Sequence, residues 1–291
     1  NGPGGWNHID LGLTGDGAGV LAMVWHTPNR LSIWDGTTGY LTSQFDPNLD
    51  PSLQISGSKI WLATSGNRAI YKFYRTTDFG VTFTYWDSIS SFIPSWTANG
   101  GVEVGMSKSP NEQHLVYFGN AEGRPTGGSA HIFNNLIHPD SADCFWVVRS
   151  TNSGTNWTAS KIARDGDFNL VTGYHTPNFA PLIENFAQTD IAVGNNGVLH
   201  AVANGYGLRF NATRDTAIGS QFPLLYYNSQ LNNWRAISSR AIDTISRIVS
   251  YYPTNAIGQS YPSIAVSADG QVVYAIWTGP QLLANGHLDT A

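Results

Sequence analysis

Charge, sulfur and long apolar runs are what this chain has least of. Only 12% of its 291 residues are charged, and one cysteine and two methionines supply all its sulfur. A lone Cys144 excludes an intrachain disulfide framework, and its place before Phe145-Trp146 reads as a small core thiol rather than a nucleophile. No apolar stretch approaches the roughly 20 residues that a membrane-spanning helix needs. The net charge of −5, with no run of Lys or Arg, argues against nucleic acid and anionic membranes as partners. Helical periodicity is nearly missing as well, and the best stretch, Ala241 to Val249, is too short to hold itself together. The chain also lacks an initiator Met and a signal peptide, so it reads as a processed or trimmed piece of something longer.

What it has in abundance is turn-formers and aromatics: 31 Gly, 10 Trp, 13 Tyr and 13 Phe. They are arranged in a phrase that recurs five times, an apolar alternating run, a Gly/Asp/Asn turn and a second apolar run. The clearest copies are Ile264 to Trp277, around Asp269-Gly270, and Ile191 to Val202, around Asn196-Gly197. Fainter ones begin at Leu11, Leu53 and Val104. Alternation with period two and an Asp-Gly or Asn-Gly turn predict a β-hairpin. A second hairpin phrase follows most copies, at Leu31 to Tyr40, Ile70 to Phe83, Phe145 to Trp157 and Leu224 to Trp234. Two hairpins make four antiparallel strands, the unit of a propeller blade.

Within the second hairpins, Thr76 to Phe83 and Ser150 to Trp157 resemble the Asp box, the Ser/Thr-x-Asp-x-Gly-x-Thr-Trp turn of sialidase-like (BNR-repeat) β-propellers. In this box Asp78 or Asn152 is placed to bond the amides of its own turn, Gly80 or Gly154 to take a left-handed conformation, and Phe83 or Trp157 to pack beneath. Phe83 stands where the pattern has Trp, and Asn152 and Asn156 where it has Asp and Thr. The resemblance implies an all-β propeller and says little of function, because the box lies away from the ligand in such families.

Steps of 42, 51, 87 and 73 residues separate Leu11, Leu53, Val104, Ile191 and Ile264. The shortest is close to a minimal blade, so the longer ones hold insertions. We expect a single propeller domain over 1–291, with blades at about 6–47, 50–95, 100–165 and 187–239 and a partial fifth at 261–291. The parent ring is then six- or seven-bladed, since an open ring leaves edges exposed. Residues 279–291 look too polar and too few for two more strands.

Strand order puts the hairpin turns on one face of the disc and the insertions, 119–143, 164–188, 204–221 and 240–260, on the other. Arg124, His131, His175, Tyr206, Arg209 and Arg214 lie in them, and Arg beside aromatics suits a carboxylate- or sugar-binding surface. The plainer use of the same side chains is to tie long loops together. A sialidase-like site needs three arginines, a Tyr activated by a Glu, and an Asp as acid/base. Tyr206, Glu184 and Asp215 would fill those roles, yet the family's Arg-Ile-Pro motif is missing and the chain holds only four Glu. Asp165, Asp167 and Asn169 space oxygen ligands as a Ca²⁺ loop can, without an EF-hand's Gly or Glu. No other cofactor is called for.

The reading is therefore a non-catalytic propeller that binds a glycan, a protein or a copy of itself through its long-loop face. Low Lys with plentiful Asn, Gly, Ser, Thr and Trp resembles secreted or cell-surface bacterial propellers. A sialidase-like glycoside hydrolase and an assembly factor docking on a protein complex are the alternatives.

Overall fold

The computed structural model describes residues 8–13, 19–26, 29–34, 40–44, 49–56, 59–66, 72–78, 82, 84–88, 104–121, 144–164, 171–172, 178–182, 189–204, 206–238, 259–279, 281–285 and 288–289. Among them the chain is all-β, its named strands all pair antiparallel, and there is no helix. Accordingly, no helix among the described residues is long and apolar enough to cross a membrane. The candidate helix at 241–249 lies outside the described residues.

The first sheet is a meander of β1 (His8–Leu13), β2 (Gly19–His26), β3 (Asn29–Trp34) and β4 (Tyr40–Gln44). The second repeats it with β5 (Leu49–Ser56), β6 (Lys59–Gly66), β7 (Lys72–Thr76) and β8 (Thr84–Ser88). These two sheets form one compact unit, residues 1–98, in which β1 lies beside β5.

The second unit, residues 99–291, begins with a third meander: β9 (Val104–Lys108), β10 (Leu115–Ala121), β11 (Cys144–Ser150) and β12 (Thr158–Arg164). Next come β13 (Phe179–Leu182), β14 (Thr189–Val193), β15 (Leu199–Asn204), β16 (Tyr206–Phe210), β17 (Ala217–Gln221), β18 (Leu224–Asn228) and β19 (Asn233–Ala236). Of these, β14-β15-β18-β19 make the fourth four-stranded sheet, while β13, β16 and β17 form a separate three-stranded one. The fifth repeat holds only β20 (Ser260–Val266) and β21 (Val273–Thr278). A small hairpin of β22 (Gln281–Leu282) and β23 (Leu288–Asp289) follows, so the polar tail does form strands, though outside the fifth sheet.

Period-two alternation splits the fourth sheet cleanly. Ile191, Val193, Leu199, Ala201, Ala203, Leu225, Tyr227 and Trp234 face the third sheet, meeting Val116, Phe118, Phe145, Val147 and Ala163. The intervening Ala192 and Val202 face the fifth sheet and pack with Ile264. Trp234 is the keystone of the first interface. Its ring stacks on Phe145 with centroids 5.7 Å apart, and its indole N–H donates to the Ile162 carbonyl at 2.9 Å. A buried indole removes roughly 200 Å² from water, worth about 5 kcal/mol before ordering entropy is subtracted. β9 lies beside β14, and β14 beside β20, so within this unit the first strands of the third, fourth and fifth sheets are neighbours. Successive propeller blades pack in this manner.

Candidate functional site

The meanders place the hairpin turns of the second unit at one end of the strands and the insertions at the other. The turn end is closed by its own hydrogen bonds. Ser109 Oγ donates to Asn111 Oδ1 (2.7 Å), Asn111 Oδ1 accepts the Gln113 amide (3.1 Å), and Ser109 Oγ accepts the His114 amide (3.0 Å). Ser267, Asp269, Gln271 and Val272 repeat this pattern at 2.6, 3.0 and 2.9 Å. Between them, Asn195 Oδ1 accepts the Asn111 amide and the Asn195 amide donates to the Ala268 carbonyl. The three turns are thereby linked in series.

The Asn152 box turn lies at this same end, since Ser153 N–H donates to the Gln113 carbonyl in the first hairpin turn of its sheet. Asp78 accepts from Thr76 Oγ1 (2.5 Å), from the Thr82 amide (3.0 Å) and from Thr82 Oγ1 (2.5 Å). Those bonds, Thr76 foremost, lower its pKa to about 2. Asn152 accepts from Ser150 Oγ and from the Asn156 amide, and Gly154 takes the left-handed φ of 81°. Trp157 is half-buried beside that turn, while Gly80 and Phe83 lie outside the described residues. The box residues are engaged in their own turns.

At that end two insertions pair with each other, which their local patterns do not announce. Phe179 to Leu182 pairs with Tyr206 to Arg209, and Gly207 to Phe210 with Ala217 to Gln221. Of the residues picked from sequence, Tyr206, Arg209, Arg214 and Asp215 fall on this one hairpin. Arg209 is half-buried, and its guanidinium lies over Gly219, where a Cβ would come within 3.4 Å of Nη2. Its buried Nε has no hydrogen-bond partner among the described residues. Arg214, at φ 61°, donates from Nε to Asn178 Oδ1 at 3.1 Å, so it clamps the hairpin tip. Asp215 accepts from Asn211 Nδ2 (2.6 Å) and Thr216 Oγ1 (2.8 Å). Those bonds push its pKa down, whereas an acid/base carboxyl has to be raised. Asn178, missed in the sequence, holds this tip by donating to the Asn211 carbonyl at 3.0 Å. Its left-handed φ of 56° is the trace of that role, since Asn tolerates the conformation.

Arg124, His131, Asp165, Asp167, Asn169, His175 and Glu184 lie outside the described residues. Among the described residues, no three His, Cys, Asp or Glu side chains group as a metal site.

No family model and no curated protein matches the chain. Solved structures do. A fucose-specific lectin from Aleuria aurantia is 10% identical over 98% of this chain and 73% of its own, with a TM-score of 0.46. An α-L-arabinofuranosidase from Fusarium graminearum is 13% identical over 78% and 63%, with a TM-score of 0.44. A Hadza microbial sialidase is 9% identical over 89% and 49%, also at 0.44. The chain therefore spans less than two thirds of the arabinofuranosidase and about half of the sialidase. No residue role is carried over from these likenesses.

Proposed function

We propose that the chain is a non-catalytic, extracellular β-propeller module, of bacterial origin, whose five repeat sheets are successive blades of one domain and whose long-loop face binds a glycan or protein. One observation carries the reading: two insertions at the end away from the Asn152 box build an extra sheet that presents Arg209 over Gly219, with its Nε unspent among the described residues. A guanidinium held flat in this way suits bidentate hydrogen bonding to a carboxylate or vicinal hydroxyls. Arg124, His131, His175, Tyr206 and Arg214 are proposed to complete the surface. The ionised Asp215, spent on its own turn, favours binding over glycosidic catalysis. Self-association is the proposed role of the fifth sheet's open face, where Tyr274 and Ile276 are 66% and 70% exposed.

The test is a glycan array probed with the purified chain and with a variant carrying Arg124→Ala, Arg209→Ala and Tyr206→Phe together. At least tenfold weaker binding by the variant, with an unchanged circular dichroism spectrum, is expected. Identical binding by the two proteins, or release of 4-methylumbelliferone from its sialoside, would overturn the reading.

A further inference from the structure

The fifth sheet meets the fourth through a small contact with a polar clamp at each end. Away from the turns, Asp190 Oδ2 accepts from Ser263 Oγ and from the Ile264 amide, each at 2.8 Å. At the turns, the Asn195 amide donates to the Ala268 carbonyl at 2.9 Å, and Gly270 lies so close to Asn196 that no Cβ fits between them. Between the clamps the buried apolar contact comes down to Ala192, Val202 and Ile264, ringed by partly buried residues such as Tyr226 and Ala275. Ile264 and Ala275 are opposed on this near face, whereas Tyr274 and Ile276 are exposed on the far one. A sheet held so lightly can open while the rest of the fold stays closed.

An ionisable side chain is built into that contact. His200 pairs with Ala192 across β14 and β15, and opposed residues project to the same side of a sheet, so its ring lies on the face that meets the fifth sheet. Tyr226 packs in the same contact and brings its hydroxyl within 2.7 Å of His200 Nδ1, with the two ring centroids 6.0 Å apart. Nε2 is buried and meets no hydrogen-bond partner among the described residues. The whole side chain is 3% exposed. A neutral ring is tolerated there, whereas a second proton buries a charge, which is costly unless an opposite charge pairs with it.

The packed elements supply no such pair. β20 and β21 contain no Asp, Glu, Lys, Arg or His, and their titratable residues are Tyr261 and Tyr274. Asp269, at the tip of their hairpin, accepts from Ser267 Oγ and the Gln271 amide within its own turn. On the fourth sheet the same face holds Asp190, whose oxygens are spent on the clamp and on the Ile191 amide, and Arg235, opposed to Tyr226 and of like charge to a protonated ring. We propose that His200 is a proton switch for the fifth sheet: a second proton on the ring breaks the contact, and β20 and β21 come away from β14 and β15 while the third and fourth sheets stay packed. Burial holds the closed ring below its ordinary 6.5, so the closed form is fully favoured above pH 6.5 and loses ground below it. If the released ring titrates at 6.5, the opening constant rises by at most about 30-fold between pH 7.5 and pH 5.

Hydrogen exchange of the full chain, followed by mass spectrometry at pH 7.5 and pH 5 and corrected for intrinsic rates, tests the switch. Peptides covering 260–278 are expected to exchange about tenfold faster at the lower pH and to be less protected there than peptides covering 115–121 and 144–150. His200→Asn should abolish the acceleration, and His200→Gln takes its place if the first variant folds poorly. A structural role alone would lower protection equally at both pH values and leave the pH dependence in place. Fifth-sheet exchange that does not respond to pH overturns the switch, as does an acceleration that the folded variant retains. So does a loss of protection that leaves the fifth and third sheets equally exposed, because that is unfolding of the whole unit.

Discussion

Asp78 and Asn152 hold the same station in two Asp boxes with different charge, and their surroundings explain why each is tolerated. Asp78 meets two threonine hydroxyls and an amide, enough donors to keep a carboxylate ionised in the open. Asn152 finds one serine and one amide, because Asn156 stands where the other box has Thr82. Lowering the pKa from its ordinary 3.8 to about 2 means that the Asp78 interactions contribute stability at every pH above 3.8 and lose it as the pH falls through about 2. A carbon-detected titration should therefore place the Asp78 carboxyl midpoint near 2, and Thr82→Val should raise it toward 3.8. A midpoint that Thr82→Val does not move would show that the hydroxyl contributes nothing to it.

At the scale of the element, the turns repeat one design with a different residue at its strained position. Gly197 and Gly270 close their turns at φ 73° and 75°, and Glu112 does the same at 60°. In each case the amide of that residue donates back across the turn, to Gly194, Ser267 and Ser109 respectively. A non-glycine residue pays about 1 kcal/mol for that conformation, so Glu112→Gly should raise stability by about 0.5 kcal/mol after the added chain entropy is subtracted. Gly270→Ala should lower it by more than 1 kcal/mol, since its Cβ would also fall 2.0 Å from the Asn196 side-chain nitrogen. Urea denaturation of both variants checks the pair, and opposite signs are the expected outcome.

The same elements show what sequence could and could not reveal. Asp269-Gly270 and Asn196-Gly197 announce their hairpins because positive φ has few solutions, and alternation then assigns each strand its two faces. The four-stranded meanders follow from those local rules. The sheet of β13, β16 and β17 does not, because Tyr206 to Phe210 is a short strand inside an insertion and its partner comes from a different insertion. Pairing over such a distance is decided by packing and leaves no local period to read. Val171, in the same insertion as β13, likewise bridges to Trp234 in β19, and Thr172 N–H donates to the Trp234 carbonyl at 2.8 Å, covering an edge that sequence left open. The shared Ser-x-Asx-x-Gln of Ser109 to Gln113 and Ser267 to Gln271 was visible in the chain and marks the linked turns.

For the whole molecule, the ionisable groups buried or hydrogen-bonded among the described residues contribute a pH dependence to stability. His200 is buried, with Nδ1 2.7 Å from the Tyr226 hydroxyl, and no partner among the described residues meets its Nε2. Burial pushes its pKa below the ordinary 6.5. His114 is pushed the same way by burial and then by the Arg149 guanidinium. Both are neutral in the folded chain and take up protons more readily once it unfolds. Their contribution is complete above pH 6.5 and declines as the pH drops below it, by at most about 1.4 kcal/mol per pH unit for each histidine. Asp78, Asp215 and Asp269 behave oppositely, since hydrogen bonds hold their carboxyls low and their contribution persists down to the ordinary 3.8. The urea midpoint should thus be flat above pH 7, fall through the histidine window, and fall again only below 3.8. His200→Asn and His114→Asn combined should flatten the upper fall and leave the lower one in place. An unchanged slope between pH 6.5 and 5 in the double variant would mean that neither histidine governs acid stability.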